Sequence, residues 1–275
     1  MSDCTIKADL STCRNAWLDE DKLKGWLADA ADIRDPDFRL TSRLPNVSGR
    51  HRIREQDDRR LEFDWFVDGC ETRLTVEFED QNGSTRVVVR HDFPTPLPPG
   101  VQFPGAEGYG GQVWDFALLQ LKSFIETGKR AMTLVWPDNL HRIEHEITIH
   151  APASRVWRML TSAEELRKLE LVGEGAFVEP MVGGRYSFGW DYEEDNQLDG
   201  PGHVTEWVEV GKLSHTWHGG RDSVISWDLE EQSENTTLLR FSHSGLVFSF
   251  ADTWSYKLGW ANHILEIKGL LERPI

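Results

Sequence analysis

Histidines set among large aromatic residues are the side chains of this chain best equipped for chemistry. His215 stands just before Trp217, His243 just after Phe241, and His263 one helical turn beyond Trp260. An imidazole can ligate zinc, act as a general base, or orient a polar group of a ligand. Zinc is disfavoured, because no two of these histidines share one element at metal-ligand spacing and no cysteine occurs in the second half. General-base catalysis from His243 needs a partner acid, and none is placed to tune its ring. Two roles remain for His243: a polar group at the mouth of a ligand cavity, or a strand-end residue hydrogen-bonded to tie the next loop to the core.

One sharper motif does not survive its context. His141-Arg142-Ile143-Glu144-His145 matches the inverted zinc-protease signature, whose chemistry requires a helix. Here Ile143, His145, Ile147 and Ile149 alternate, which is the period of a strand. Neither a G-x-S-x-G elbow nor a P-loop occurs, and the glycines from Gly105 to Gly111 follow a proline loop rather than a strand. No cofactor and no metal are expected.

The elements that must hold these residues can be read from periodicity. In the second half, the strand Glu146 to His150 leads through Ala151-Pro152-Ala153-Ser154 into a helix whose apolar face is Val156, Trp157 and Leu160. Ser162 with Glu165 forms a capping box for a second short helix ending at Leu169. Short strands follow over Gly184–Trp190, His203–Val210, Lys212–Trp217, Ser223–Leu229 and Thr237–His243, separated by turn residues. An amphipathic helix from about Leu258 to Leu271 closes the chain. The order of strand, helix pair, antiparallel strands and long helix specifies an α+β domain whose last helix lies across the inner face of the sheet.

The first half repeats this text. Trp114, Leu118, Leu121 and Ile125 have the spacing of Trp260, Ile264, Ile267 and Leu271, and CTIKADLSTCRNAWLDEDKLKGWL from Cys4 aligns without gaps on ITIHAPASRVWRMLTSAEELRKLE from Ile147. Leu61 and Trp65 parallel Leu213 and Trp217; Thr72 to Phe78 parallels Ser223 to Leu229; Ser84 to His91 parallels Thr236 to His243. A period this long is a duplicated domain rather than a solenoid unit. The expected domains are 1–137, a degenerate copy, and 138–275, with the boundary near Trp136 to Asn139.

Copy two carries a resemblance. The strand-turn-helix ITIHAPASRVWRMLTSAEEL, the glycine pair in Pro180-Met181-Val182-Gly183-Gly184-Arg185-Tyr186, Gly202-His203-Val204, Lys212-Leu213 to Trp217, the run Thr237 to Gly245 and Gly259-Trp260 are similar to the START-like (SRPBCC) superfamily. Within it they resemble the activators of heat shock protein ninety ATPase. Copy one has Ser48-Gly49-Arg50 in place of the glycine pair and lacks Ser-Gly after His91. The resemblance implies a helix-grip fold, with a curved antiparallel sheet around a long C-terminal helix and a cavity between them. It also implies apolar ligands, with cyclases or hydrolases among relatives, and a chaperone as an alternative partner. The namesake activators carry a separate N-terminal chaperone-binding domain, where this chain has a second START-like copy.

Composition sets limits. The chain has 275 residues, 39% hydrophobic and 28% charged, with a net charge of −16 that repels nucleic acid and anionic lipid. The three cysteines, Cys4, Cys13 and Cys70, and the leaderless start predict reduced thiols and a cytoplasmic location. No membrane insertion is expected. The twelve tryptophans bear on the cavity. An empty pocket of about 300 Å³ would cost on the order of 7 kcal/mol, comparable with a domain's stability of about 5–15 kcal/mol. A ligand, water or bulky residues such as Trp190, Trp217, Trp227 and Trp254 must therefore occupy it. The expectation is a reduced pocket in copy two and a largely filled one in copy one. The function predicted is non-catalytic binding of a small apolar or aromatic molecule by Trp190, His215, Trp217, Trp227, Phe241, His243, Trp260 and His263.

Overall fold

The computed structural model describes residues 1–67, 69–94, 109–134, 141–189, 202–217, 223–245 and 250–272, with the side chains of 109–110 and 250–255 left undescribed. The chain divides into two compact units, Met1–Thr133 and Leu134–Ile275. Trp136 to Asn139, the sequence-based boundary, lies outside the described residues.

In the first unit, strand β1 (Ser2–Ile6) leads into helices α1 (Leu10–Asn15) and α2 (Glu20–Trp26). Strands β2 (Ala30–Arg34), β3 (Asp37–Thr41), β4 (Gly49–Gln56), β5 (Arg60–Val67), β6 (Cys70–Asp80) and β7 (Thr85–Asp92) follow, then helix α3 (Tyr109–Thr127). The second unit repeats the series with β8 (Arg142–Ile149), α4 (Ala153–Thr161), α5 (Ala163–Leu166), β9 (Phe177–Val178), β10 (Arg185–Ser187), β11 (Gly202–Val208), β12 (Lys212–Thr216), β13 (Val224–Ser233), β14 (Thr236–Ser244) and α6 (Phe250–Leu271). Each unit holds a seven-stranded antiparallel sheet, ordered β1-β7-β6-β5-β4-β3-β2 and β8-β14-β13-β12-β11-β10-β9. The first strand closes against the last in both, so each long helix has one continuous apolar face to cover.

Alternation places the core as the sequence implies. Ile143, His145, Ile147 and Ile149 of β8 turn inward, and so do Thr237, Leu239, Phe241 and His243 of β14. The H-x-x-E-H segment accordingly lies largely on a strand, with Glu144 outward and His145 inward. Val156, Trp157 and Leu160 form the buried face of α4.

Two local readings need correction. The Ser162 side chain makes no capping hydrogen bond. The reciprocal half of the box is absent as well: Ser162 N–H donates to Arg158 O at 2.9 Å as the C-cap of α4, and the Glu165 carboxylate pairs with Arg158 at 2.9 Å and Lys168 at 2.7 Å. Its counterpart Asp19 does cap α2, accepting from the backbone of Asp21 and Lys22. Helix α6 also begins at Phe250, eight residues before the apolar spacing becomes regular at Leu258.

The duplication extends to individual hydrogen bonds. Lys122 Nζ donates to Thr5 O at 2.5 Å, as Lys268 Nζ does to Thr148 O at 2.7 Å. Glu126 accepts from the backbone of Lys7, and Glu272 from that of His150. Thr85 Oγ1 donates to Ala8 O, and Thr237 Oγ1 to Ala151 O. A β-bulge falls between Ile53 and Glu55 of β4 and between Val204 and Glu206 of β11, bending both sheets at the same point. These bonds fasten the strand-turn-helix start to the closing helix in each unit, holding the helix over the sheet.

Candidate functional site between sheet and closing helix

The best-preserved polar contact in the two interiors is a histidine bonded to a tryptophan. Trp114 Nε1 donates to His91 Nδ1 and Trp260 Nε1 to His243 Nδ1, both at 3.1 Å. An indole N–H can only donate, so Nδ1 is the acceptor and the ring proton resides on Nε2. That proton reaches Thr72 Oγ1 at 2.7 Å in the first unit and Ser223 Oγ at 3.1 Å in the second. His243 therefore ties the strand end to the helix.

Strand pairing aligns the rest. Leu61 pairs with Val76 and Trp65 with Thr72 in the first sheet; Leu213 pairs with Trp227 in the second, and Trp217 donates to the Ser223 carbonyl. On this register Phe63 stands where His215 does, Val76 where Trp227 does, and Ala117 of α3 where His263 of α6 does. Three apolar residues of the first unit thus become nitrogen-bearing side chains in the second.

Those nitrogens lack partners. His215 Nε2, Trp227 Nε1 and both ring nitrogens of His263 are buried without a hydrogen bond, as is His145 Nδ1. Such groups are rare in native interiors, and each costs about 1–3 kcal/mol when left unpaired. His215 donates from Nδ1 to Thr216 O at 3.0 Å, which leaves Nε2 as a lone-pair acceptor. His145 donates from Nε2 to Lys257 O at 3.0 Å, leaving Nδ1 as an acceptor. Trp227 offers a donor, and neutral His263 offers one of each.

The walls between them are aromatic. Trp260 lies tilted at 4.7 Å from Phe241 and edge-to-face with Trp217 at 5.2 Å and Trp227 at 5.9 Å. His263 lies 5.6 Å from Phe188 and 6.2 Å from Trp227, and His215 stacks on Tyr186 at 4.2 Å. His215, Trp217, Trp227, Phe241, His243, Trp260 and His263 all turn into the interior, as the alternation implies. Trp190 lies outside the described residues, as does the side chain of Trp254. The interior also holds Tyr186, Phe188, His145 and Lys257, which are not among the sequence-based candidates. The signal for three of them exists: the alternation of β8 turns His145 inward, and Tyr186 and Phe188 alternate in step with Trp190 along Gly184–Trp190.

In the first unit the same space is closed. His51 stacks on Trp65 at 3.7 Å with the rings nearly parallel, and both its nitrogens are bonded, to Val47 O at 3.0 Å and Phe66 N at 3.1 Å. Its place on the ladder is Gly202 in the second unit, where a Cβ would collide with the Thr216 carbonyl. Glycine there brings β11 close to β12, where the first unit places the ring of His51.

Burial sets the charge state of these rings. Desolvation lowers the pKa of His145 to about 3 and those of His215 and His263 to about 4. The folded unit keeps them neutral, whereas the unfolded chain takes up protons near pH 6.5. Their contribution is fully present above pH 6.5 and is lost as pH falls toward 4. Each contributes about 1 kcal/mol over the unit in which the unfolded ring goes from half to nearly full protonation, so the second unit should lose on the order of 3 kcal/mol between pH 6.5 and 5.5. Urea unfolding across this range tests the expectation; a flat profile would contradict neutral burial. Among the described residues no three side chains converge as metal ligands, and no helix is long and apolar enough to cross a membrane.

Solved structures give further likenesses. A conserved protein of unknown function from Enterococcus faecalis is 26% identical over 52% of this chain and 78% of its own, with a TM-score of 0.38. DynU16, from the dynemicin biosynthetic locus, is 16% identical and covers 98% of this chain and 96% of its own, with a TM-score of 0.35. The Aha1 dimer from Colwellia psychrerythraea is 24% identical over 48% of this chain and 96% of its own, with a TM-score of 0.35. Comparison with curated proteins finds no match. The family model described as activator of Hsp90 ATPase homolog 1-like protein matches twice, over residues 14–126 and 150–272. With both helix-grip units covered, the chain belongs to that family as a tandem duplication.

Proposed function

We propose that the second unit binds a small, largely apolar or aromatic molecule between its sheet and α6, without chemically transforming it. The observation that carries this reading is the set of unpaired nitrogens on His145, His215, Trp227 and His263. The first unit has Phe63, Val76 and Ala117 at three of these places, so the fold itself does not demand them. A molecule with an aromatic body, a carbonyl for Trp227 and a hydroxyl for His215 would satisfy what the protein leaves open. Binding without catalysis agrees with His243, whose two ring nitrogens are engaged by Trp260 and Ser223. The first unit is the structural copy, its interior closed by His51 on Trp65.

Titration of intrinsic tryptophan fluorescence with fatty acids, sterols and flavonoids tests the reading. A saturable response that disappears in a Trp227→Phe/His263→Leu double variant is expected. Absence of a saturable response to all three classes would remove it.

The family match favours a second reading, action on a heat shock protein ninety chaperone. Stimulated ATP turnover of the purified chaperone would support this; unchanged turnover excludes it.

A further inference from the structure

The interior of the second unit has the opposite charge character from the chain as a whole. The protein carries a net charge of −16. Among its described residues, the buried side chains of this unit nevertheless include Lys257 and four histidines, and no carboxylate. Lys257 precedes Trp260 by three residues and Ala261 by four, so it lies on the sheet-facing stripe of α6. It is 2% exposed.

Its surroundings do not neutralise it. Burial lowers its pKa to about 8, and the attraction of Glu144 offsets this only in part. Glu144 points outward from β8 and is itself paired with Arg142 at 2.7 Å. The ring beside Lys257 is His145, which bonds the Lys257 carbonyl, stacks toward Phe241 at 6.0 Å and keeps Nδ1 free. Among the described residues no carboxylate is hydrogen-bonded or ion-paired to the amine.

The first unit shows what the scaffold requires here. Ser2 takes the place of His145 and Gly111 that of Lys257, and Ser2 Oγ donates to Gly111 O at 3.1 Å. The strand-to-helix bond is thus kept while the cation is dispensed with. A buried ammonium without a counter-charge is costly. It is retained in the unit that holds the unpaired nitrogens of His145, His215, Trp227 and His263, and it is missing from the unit with Ser2, Phe63, Val76 and Ala117 at those places, where Trp17 Nε1 is the buried side-chain nitrogen left unbonded among the described residues.

We propose that the ligand of the second unit is an organic anion, a carboxylate, sulfonate or phenolate on an apolar body, with its charged oxygen at Lys257. This rests on the reading that the unit binds a ligand between sheet and helix. The apolar body lies against Phe241, Trp227 and Trp260, and a hydroxyl neighbouring the anionic group is accepted by His145 Nδ1.

Two fluorescent probes separate the proposal from that reading. 8-Anilinonaphthalene-1-sulfonate and N-phenyl-1-naphthylamine share one ring system, and only the first is charged. With the full chain at pH 7, the sulfonate is expected to bind at least about tenfold more tightly. Lys257→Met should remove that advantage and leave the neutral probe within about twofold, with circular dichroism and melting checking the fold. The wild-type chain gives an independent answer: sulfonate affinity should fall about tenfold from pH 7 to 10, as the lysine loses its proton, while neutral-probe affinity stays level. Equal affinity for the two probes, or a level sulfonate profile, overturns the anion proposal and leaves ligand binding intact. Binding of neither probe overturns both.

Discussion

His263→Leu should raise the stability of the second unit by about 1–3 kcal/mol and weaken ligand binding at least about tenfold. The stability gain follows from removing two buried ring nitrogens that have no partner, at roughly constant volume. The scaffold tolerates an apolar residue at this position, because Ala117 occupies it in the first unit. For a unit of this size the gain corresponds to a rise of about 2–12 °C in the midpoint of thermal unfolding. The same replacement should shallow the acid dependence by roughly a third, since one of three neutral-buried histidines is gone. The pairing of higher stability with lost binding is what distinguishes a functional site from imperfect packing. A loss of more than about 1 kcal/mol in ligand-free protein would mean the nitrogens are satisfied by bound water, and the site argument would lose its basis.

Trp260→Ala should destabilise the second unit by about 3–5 kcal/mol, against a typical domain stability of about 5–15 kcal/mol. Trp260 packs on Phe241, Trp217, Trp227 and His263 while its N–H holds His243. Trp260→Phe isolates the hydrogen bond: most of the ring remains, but His243 Nδ1 is left buried and unpaired, at about 1–3 kcal/mol. Trp114→Ala should do to the first unit what Trp260→Ala does to the second, since His91 repeats the bond at the same length. Urea unfolding of the single variants, with the two units resolved as separate transitions, measures all three. If Trp260→Phe were neutral, the histidine–tryptophan pair would be packing alone.

Much of this architecture is legible before any coordinates exist. Period-two alternation identified the inward faces of β8 and β14, and the i, i+4, i+7, i+11 spacing of Trp114 and Trp260 identified α3 and α6. The start of α6 escaped, because Phe250 to Tyr256 lacks the regular apolar stripe, and a helix without one cannot be told from a loop by pattern. The Ser162–Glu165 box also misled. Capping spacing says which bonds are possible, but Ser162 also ends α4, and its N–H is already taken by the Arg158 carbonyl.

By itself the sequence determined the duplicated α+β scaffold and which side chains face inward, because both follow from local periodicity that each strand and helix carries within itself. Whether an inward nitrogen has a partner depends on atoms from three or four separated strands and a helix, and no spacing along one element encodes that. Tertiary structure alone showed that His243 is engaged by Trp260 and Ser223 while His215, Trp227 and His263 keep open nitrogens. It alone set Lys257 beside His145 where the first unit has Gly111 and Ser2. The hydrogen-bond ledger of a buried site is a property of the packed ensemble of neighbours, and it becomes readable only when the two copies are laid side by side.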